Sequence, residues 1–593
     1  MEARGTETIG GKIAVCPSTR VSDVLGRLRR APEFMRNVTH WQELPAAPAR
    51  HAPYPASLDP RLVEALAGRG ISQLYTHQAR AVEAALASKH VVVVTPTASG
   101  KTLCYNLPVL NAALRDRRAR ALYLFPSKAL AHDQLAELGE LLARAGGELA
   151  ARAYDGDTPA AARARIRREA NILVSNPDML HTGILPHHTR WAEFFAGLRF
   201  VVVDELHTYR GVFGSHMANV LRRLRRVAAF YGSRPQFICC SATIANPREL
   251  AGRLTESDVV LVDEDGSPRG EKHFIFYNPP LVDRQLGIRR SVLLEACDVA
   301  GQFRAGDVQT IVFARSRLST EVLLTYLREG VVRQGRPAES VRGYRGGYLP
   351  DERRAIERGL RQGEVRGVVA TTALELGVDI GQMSAAVLAG YPGSIASAWQ
   401  QAGRAGRRAG LSAAVLVASA SPLDQYIVNH PEYFLGRSPE RGLVAPDNLA
   451  IALAHLQCAA FELPFTEEET LGGFDATGEV LRLLAEEGVV RLSAGRWHWA
   501  SESYPAAGVS LRAAGVDNFA IVVAGDDAAP QTIGQLDRFS VPMLLHPGAI
   551  YIHEGNPYLV EELDWEGAMA RVRPAAVDYY TDASTSGDID VSR

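Results

Sequence analysis

His90-Val-Val-Val-Val94 runs straight into Thr95-Pro-Thr-Ala-Ser-Gly100-Lys101-Thr102, and an apolar helical stretch follows. Four consecutive valines read as a strand buried on both faces, and strands of that kind belong to parallel sheets covered by helices. A turn from strand to helix through Ser, Gly, Lys and Thr makes a phosphate cradle. Backbone N–H groups and the helix N-terminus face the anion, the lysine reaches its outer oxygens, and the hydroxyl after it holds Mg2+. The loop departs from the GxxxxGK[ST] pattern, with Thr95 at the first glycine position and Ala98 where glycine is common. Alone it also fits an ordinary strand-to-helix turn.

Outward from this loop, apolar runs recur at ALYLF (121–125), NILVS (171–175), FVVVD (200–204) and FICCSA (237–242), with helical segments between them. The schedule starts again after residue 266, with TIVFA (310–314), GVVAT (367–371), AAVLAG (385–390) and AAVLVAS (413–419). The pattern predicts an α/β fold of two tandem domains, over 51–265 and 266–425. Residues 1–50 read as a short helix around Val21–Arg30 followed by a linker, LPAAPARHAPYPASL. Beyond 426, a helix over Asp447–Ala460 and then GEVLRLLAEEGVVRLSAGRWHWA predict a winged helix over 426–508. Residues 509–593, with FAIVV and AIYIH, read as a small β-rich domain. They close on YYTDASTSGDIDVSR, which has no final hydrophobic element, so the expectation is a disordered end or a shortened chain.

The second chemical element is VVVDELH, a buried strand ending in Asp204-Glu205-Leu206-His207. Such a strand delivers an aspartate to Mg2+ beside the phosphate loop, and Glu205 is then placed to orient and deprotonate a water. Its position about 100 residues after the loop sets it apart from a solvated turn. The third is Gln400-Gln401-Ala-Gly403-Arg404-Ala-Gly406-Arg407-Arg408, near the end of the second domain. Arginines brought across a cleft stabilise charge on a γ-phosphate, which makes Arg404 and Arg407 candidates.

At 593 residues, 47% hydrophobic and 22% charged, the chain has the composition of a folded multidomain protein. It has no run of apolar residues long enough to span a membrane and no signal-like N-terminus, so the expected address is cytoplasmic. None of the six cysteines stands in a CxxC pair, so no zinc is expected. The net charge of −1 hides a split: residues 1–439 hold 56 of the 65 basic and 42 of the 66 acidic side chains, a net +14, and residues 440–593 hold 9 and 24, a net −15. The basic part points to a phosphate-backbone partner. The acidic part is open to a protein partner, though an acidic surface is most often merely solvated. Only five lysines occur against 60 arginines, and two of them, Lys101 and Lys128, fall in the motifs.

Together these elements resemble the superfamily 2 DEAD/DEAH-box helicases, built from two RecA-like domains. Thr95–Thr102 resembles motif I, Asp204–His207 motif II, Ser241-Ala242-Thr243 motif III and Gln400–Arg407 motif VI. Tyr75-Thr-His-Gln78 resembles the Q motif, Phe125-Pro-Ser127-Lys128 motif Ia and Ser175-Asn176-Pro-Asp178 motif Ib. Val312-Phe313-Ala-Arg315-Ser316 resembles motif IV, and Thr371-Thr372-Ala-Leu-Glu-Leu-Gly377-Val-Asp379 motif V. The resemblance implies an ATP site of Tyr75, Gln78, Thr97, Ser99, Gly100, Lys101 and Thr102, with Mg2+ on Thr102 and Asp204. It also implies catalysis by Lys101, Asp204, Glu205, His207, Arg404 and Arg407, and coupling of nucleotide state to domain closure through Gly377 and Asp379. Ser127, Lys128, Asn176, Arg315, Ser316 and Thr371 would face a single strand through its phosphates. Gln401 stands where many relatives place arginine.

HTYRGVFGSHMANVLRRL (207–224), YNPPLVDRQLGIRRS and LDQYIVNHPEYFLGRSPE are similar to the MrfA-like and SftH-like DNA-repair helicases, related to the fungal Hrq group and to RecQ. That resemblance implies an ATP-dependent, 3′ to 5′ helicase acting on single-stranded and partly duplex DNA. Separately, the expectation is a monomer, with the acidic region open to a repair-protein partner. The clade's four-cysteine zinc module has no counterpart after Cys458. The motor motifs alone fit an RNA helicase or a non-unwinding translocase equally well.

Overall fold

The computed structural model describes residues 17–146, 149–375, 377, 380–381, 383–406, 410–512, 518–523, 531–538, 540–577, 579–581 and 583. His90–Val94 is the second strand of a seven-stranded parallel sheet whose order is Val259–Val262, His90–Val94, Gln236–Ser241, Leu198–Val203, Arg120–Leu124, Ile172–Ser175 and Ala151–Ala153. The period of two divides its side chains cleanly. Val92 and Val94 enter one hydrophobic core with Leu122 and Leu124, whereas Val91 and Val93 enter the other with Ala121 and Tyr123. Helices therefore cover both faces, and each fully buried valine or leucine contributes about 1.5–3 kcal/mol.

A second seven-stranded sheet follows, in the order Val38–Leu44, Lys272–Tyr277, Ser412–Val417, Ala385–Ala389, Thr310–Phe313, Gly367–Ala370 and Val341–Tyr344. All pairs are parallel except the first. The first strand corrects the sequence reading of residues 1–50 as a separate segment and linker. Val38–Leu44 pairs antiparallel with Lys272–Tyr277, and the helix Pro17–Arg30 sinks Val21, Val24, Leu25 and Leu28 into the core that holds Phe303. The strand is hard to see in sequence because it lies at an edge and buries no residue completely. The far boundary also moves. Helices Pro422–Asn429 and Pro431–Gly436 place Ile427, Val428 and Phe434 in the second domain's core, so that domain extends past residue 425.

The helices Leu449–Glu462 and Thr477–Glu486 and the strands Phe465–Thr466, Val490–Ser493 and Arg496–Trp499 form the winged helix. It docks on the first domain, against the helix Gly211–Phe230. At the centre of that contact Arg223 and Glu462 form a fully buried ion pair. The same guanidinium donates to His181 Nδ1 at 2.6 Å and His455 Nδ1 at 3.2 Å. Burial drives both histidines below their ordinary pKa, His181 to about 3, which keeps them neutral acceptors.

A five-stranded sheet, in the order Gln531–Asp537, Asn518–Val523, Met569–Pro574, Asn556–Asp564 and Ile550–His553, docks on the second domain instead. Its seat is also a buried Arg–Glu pair. Arg345 Nε donates to Glu321 Oε1 at 2.6 Å while Arg345 Nη2 donates to Tyr551 Oη and the Ile552 carbonyl, each at 3.0 Å. Among the described residues no helix is long and apolar enough to cross a membrane.

Removing one partner of a buried pair strands the other charge, which costs about 3–5 kcal/mol. Glu462→Ala is therefore expected to lower stability to denaturant by that amount. The double substitution Arg223→Met/Glu462→Leu should recover most of the loss. Equal losses in the single and double variants would mean that packing, not charge, holds the winged helix.

Candidate nucleotide and nucleic-acid site

The loop after His90–Val94 is fixed by its own bonds. Thr95 Oγ1 lies 2.6 Å from Ser99 Oγ, and Lys101 Nζ donates to the carbonyl oxygens of Thr95 and Pro96, both at 2.8 Å. Ala98 sits at φ +64°, the left-handed region that glycine adopts without cost. Thr102 and Lys101 open the helix Thr102–Arg115, so its unpaired N–H groups face the loop. Gln78 spans two segments: its Oε1 accepts from Tyr75 N at 2.9 Å and its Nε2 donates to the Gly100 carbonyl at 2.9 Å. A Cβ on Gly100 would fall 2.6 Å from Gln78 Nε2, so this approach needs glycine.

Leu198–Val203 delivers Asp204 and Glu205 beside the loop. Asp204 is buried, its Oδ2 accepts from Tyr105 Oη at 3.3 Å, and its Oδ1 accepts from Glu205 N at 2.8 Å. Burial, reinforced by the Glu205 charge, pushes Asp204 up to about 7. Such a carboxylate with a neighbouring hydroxyl, Thr102, is a hard-oxygen donor set that fits Mg2+, which binds through one or two protein oxygens plus substrate phosphates. Thr102 Oγ1 now donates to Gln134 Oε1 at 3.1 Å, and Gln134 also accepts from Tyr105 Oη at 3.2 Å. Neither Gln134 nor Tyr105 carries a motif that sequence reading could have used.

Groups from the second domain close over this site. Gly377 N lies 3.4 Å from Glu205 Oε1, and a Cβ on Gly403 would fall 2.6 Å from Thr97 Oγ1. His207 Nε2 lies 2.6 Å from the Gln400 side-chain amide, while its Nδ1 accepts from Ala242 N at 3.3 Å. Desolvation holds His207 below its usual pKa, so a neutral ring links the acid pair, Ser241-Ala242 and Gln400. Arg404 is fully buried, and its Nε and Nη2 hold the Glu375 carbonyl, the latter at 2.5 Å. Gln401, in the place of an arginine, donates to Glu375 Oε2 at 3.0 Å and so braces the same residue from its carboxylate end. Asp379 and Arg407 lie outside the described residues.

Four of the six strand-facing candidates share a geometry. Ser127 caps the helix Lys128–Ala145, Asn176 caps Pro177–Met179, Ser316 caps Arg317–Arg333 and Thr371 caps Thr372–Leu374, each at the C-terminal end of a sheet strand. Both sheets therefore present helix N-termini along one edge, where phosphates are well received. Lys128 Nζ is 2.8 Å from Asp157 Oδ1, and half-exposed Arg315 is 3.8 Å from Asp424 Oδ1.

Family models match the chain for DEAD/DEAH box helicase over residues 75–250, for the helicase conserved C-terminal domain over 292–409, and for the winged helix domain of ATP-dependent helicase HRQ1 over 444–514. The chain is 54% identical over 555 residues to the ATP-dependent helicase YprA of Bacillus subtilis, covering 94% of this chain and 74% of that protein. It is 36% identical to the ATP-dependent helicase HRQ1 of Saccharomyces cerevisiae, covering 96% of this chain and 54%, about half, of the yeast protein. The helicase MrfA, in a crystal structure bound to DNA and AMPPNP, superposes with a TM-score of 0.92 at 52% identity over 96% of this chain and 79% of that one. The chain belongs to the superfamily 2 helicases, in the Hrq-related, MrfA-like branch. It is an ATP-dependent helicase.

Two further residues of this helicase escaped the motif reading. Lys272 is buried, brought down to about 8 by desolvation, and donates to the carbonyls of Ala402 and Ala405 at 2.6 and 2.7 Å. It thereby caps the C-terminus of the motif VI helix Ile395–Ala402. Its survival in a lysine-poor chain was the available signal. Arg512, at the end of the winged-helix region, donates to the Pro126 carbonyl at 2.6 Å and Asp178 Oδ2 at 3.2 Å, which adds a cation beside motifs Ia and Ib.

Gln400→Ala is expected to leave binding of a fluorescent ATP analogue unchanged while lowering nucleic-acid-stimulated hydrolysis about tenfold, the cost of one buried hydrogen bond of about 1–3 kcal/mol. An equal loss of nucleotide affinity would show that Gln400 shapes the pocket and does not couple the domains.

Proposed function

We infer that this helicase uses hydrolysis of Mg-ATP between its two RecA-like domains to translocate along single-stranded DNA and separate duplexes. The observation that carries the reading is the fit to MrfA bound to DNA and AMPPNP, with a TM-score of 0.92 over 96% of this chain. The domains here stand in the arrangement of the liganded relative, with the contacts His207 to Gln400 and Glu205 to Gly377 made. Polarity of 3′ to 5′ and a place in DNA repair rest on the family resemblance, and action as a monomer is proposed beside them. Likeness to the RNA-bound helicases Mss116 and Dbp5, at 16% and 18% identity, extends to the fold alone.

In this reading Lys101 and the helix N-terminus receive the phosphates, and Gln78 with Tyr75 frames the base. Thr102 and Asp204 hold Mg2+, which supplies charge neutralisation at the phosphates when bound. Glu205 orients the attacking water and accepts its proton. Arg404, aimed by the Glu375 carbonyl, and Arg407 supply positive charge from the second domain. Ser127, Lys128, Asn176, Arg315, Ser316 and Thr371 track the strand through its phosphates, so binding is sequence-tolerant and weakens steeply with salt.

A strand-displacement assay on forked DNA tests this. Lys101→Ala and Glu205→Gln should each abolish unwinding, with Glu205→Gln still binding nucleotide. Unwinding by either variant at the parent rate would overturn the site. ATP turnover stimulated more by single-stranded RNA than by DNA would overturn the substrate.

A further inference from the structure

The strand Lys272–Tyr277 ends at the same sheet edge as Thr310–Phe313 and Gly367–Ala370, whose ends carry Ser316 and Thr371. Directly after it the chain leaves the body of the domain as a two-stranded hairpin, Leu281–Asp283 paired with Ile288–Arg289. At about 4.8 Å per strand, the hairpin emerges about 14 Å from the Ser316 cap, three strands along the sheet.

The surface of this hairpin is inverted relative to a solvated loop. Leu281, Val282, Leu286 and Ile288 are 42%, 65%, 73% and 49% exposed, and none joins a hydrophobic cluster among the described residues. Neighbouring exposed apolar residues in one short segment mark a contact surface. The base is nevertheless rigid. Arg289 donates to the Pro279 carbonyl at 2.7 Å, Arg290 pairs with Glu295 and Asp298, and Asn278 and Gln425 exchange side-chain amide bonds of 3.0 and 3.1 Å. The one acid, Asp283, spends Oδ1 on the turn, accepting from Gln285 N and Leu286 N. Arg284 at the tip is exposed and has no ion-pair partner among the described residues.

The other candidate for splitting a duplex is the wing of the winged helix, and it faces the wrong way. Arg496 lines a groove with Arg225 and Ala229. Those two residues also line the groove at Gly197–Phe200 and Pro235–Phe237, the N-terminal ends of the first sheet's strands. The wing thus sits at the edge opposite the phosphate-facing caps.

We propose that the hairpin 281–289 is the strand-separating element, with Val282 and Leu286 packing on the terminal base pair of duplex DNA and Arg284 meeting the departing backbone. This rests on the DNA-helicase reading. Base faces accept apolar side chains regardless of sequence, and apolar wedges unstack base steps. A held base and a bare apolar tip suit that role.

The test uses the full chain and a forked DNA duplex carrying 2-aminopurine at its first base pair. Val282→Ser/Leu286→Ser is expected to slow strand displacement about tenfold or more, the size of a lost stacking contact, and to abolish the 2-aminopurine signal on binding. Single-stranded-DNA-stimulated ATP turnover and thermal stability should stay at the parent level. Leu286→Phe should retain displacement. Parent-rate displacement by the double variant overturns the proposal, as does a parallel loss of ATPase stimulation, which would place the hairpin in strand binding. A parent chain that hydrolyses ATP on single strands yet displaces nothing overturns the helicase reading itself, and the hairpin's role with it.

Discussion

The candidate nucleotide site draws its groups from two sheets that share no strand, so every contact that joins the two halves of the site crosses one cleft. Among the described residues, the side-chain bond from His207 to Gln400, at 2.6 Å, is a short crossing of this kind. The chain itself crosses repeatedly. Residues 17–44 lie on the second domain, the first sheet follows, then the second, then the winged helix returns to the first domain and the C-terminal sheet to the second. Each accessory module is therefore seated on one of the two α/β domains. A buried Arg–Glu pair is weak evidence for net stability, because desolvation offsets most of its attraction. What buried arginines do well here is forbid alternative seats, since a slip of Glu462 leaves Arg223 unpaired and a slip of the C-terminal sheet takes Tyr551 Oη and the Ile552 carbonyl away from Arg345.

The charge split takes on a different meaning in this arrangement. The acidity of residues 440–593 is used in part for docking: Asp447 on Arg222, Glu462 on Arg223, Glu469 on Arg226, Asp537 on Arg317 and Glu554 on Arg342. Arginines counted toward a nucleic-acid surface are thus partly committed to the protein's own extension. At the candidate phosphate-facing edge, the groups the structure places are helix N-termini and a few cations, including Arg512, whose guanidinium donates to the Pro126 carbonyl and Asp178.

Most of the two sheets could be read in the sequence because parallel strands buried on both faces leave unbroken apolar runs. The runs at 90–95, 200–204 and 310–314 each became a strand within a residue or two. Val38–Leu44 could not, since an edge strand with polar alternate positions looks like linker, and no local pattern tells it that its partner lies over 200 residues away. The same physics divides the site. Lys101, Asp204 and Glu205 announce themselves because their chemistry demands a residue type at a spacing. Gln134, Tyr105 and Lys272 act by filling a hydrogen bond that only the assembled fold creates.

The phosphate loop shows why departure from a motif is a poor measure of whether the site works. Alanine at φ +64° costs about 1–3 kcal/mol when nothing compensates, and Glu205, at φ +50°, carries a similar load. Strain of that kind persists only where the surroundings over-determine the backbone. Here Thr95 supplies what the missing glycine cannot: its hydroxyl ties to Ser99 and its carbonyl receives Lys101, bracketing Ala98 on both sides. The substitution that weakens the generic pattern thus provides the bonds that hold the unusual conformation. Loop and acid pair hold their strained geometry through bonds within the first domain, and Gly377, Gln400 and Gly403 of the second domain contact them from across the cleft.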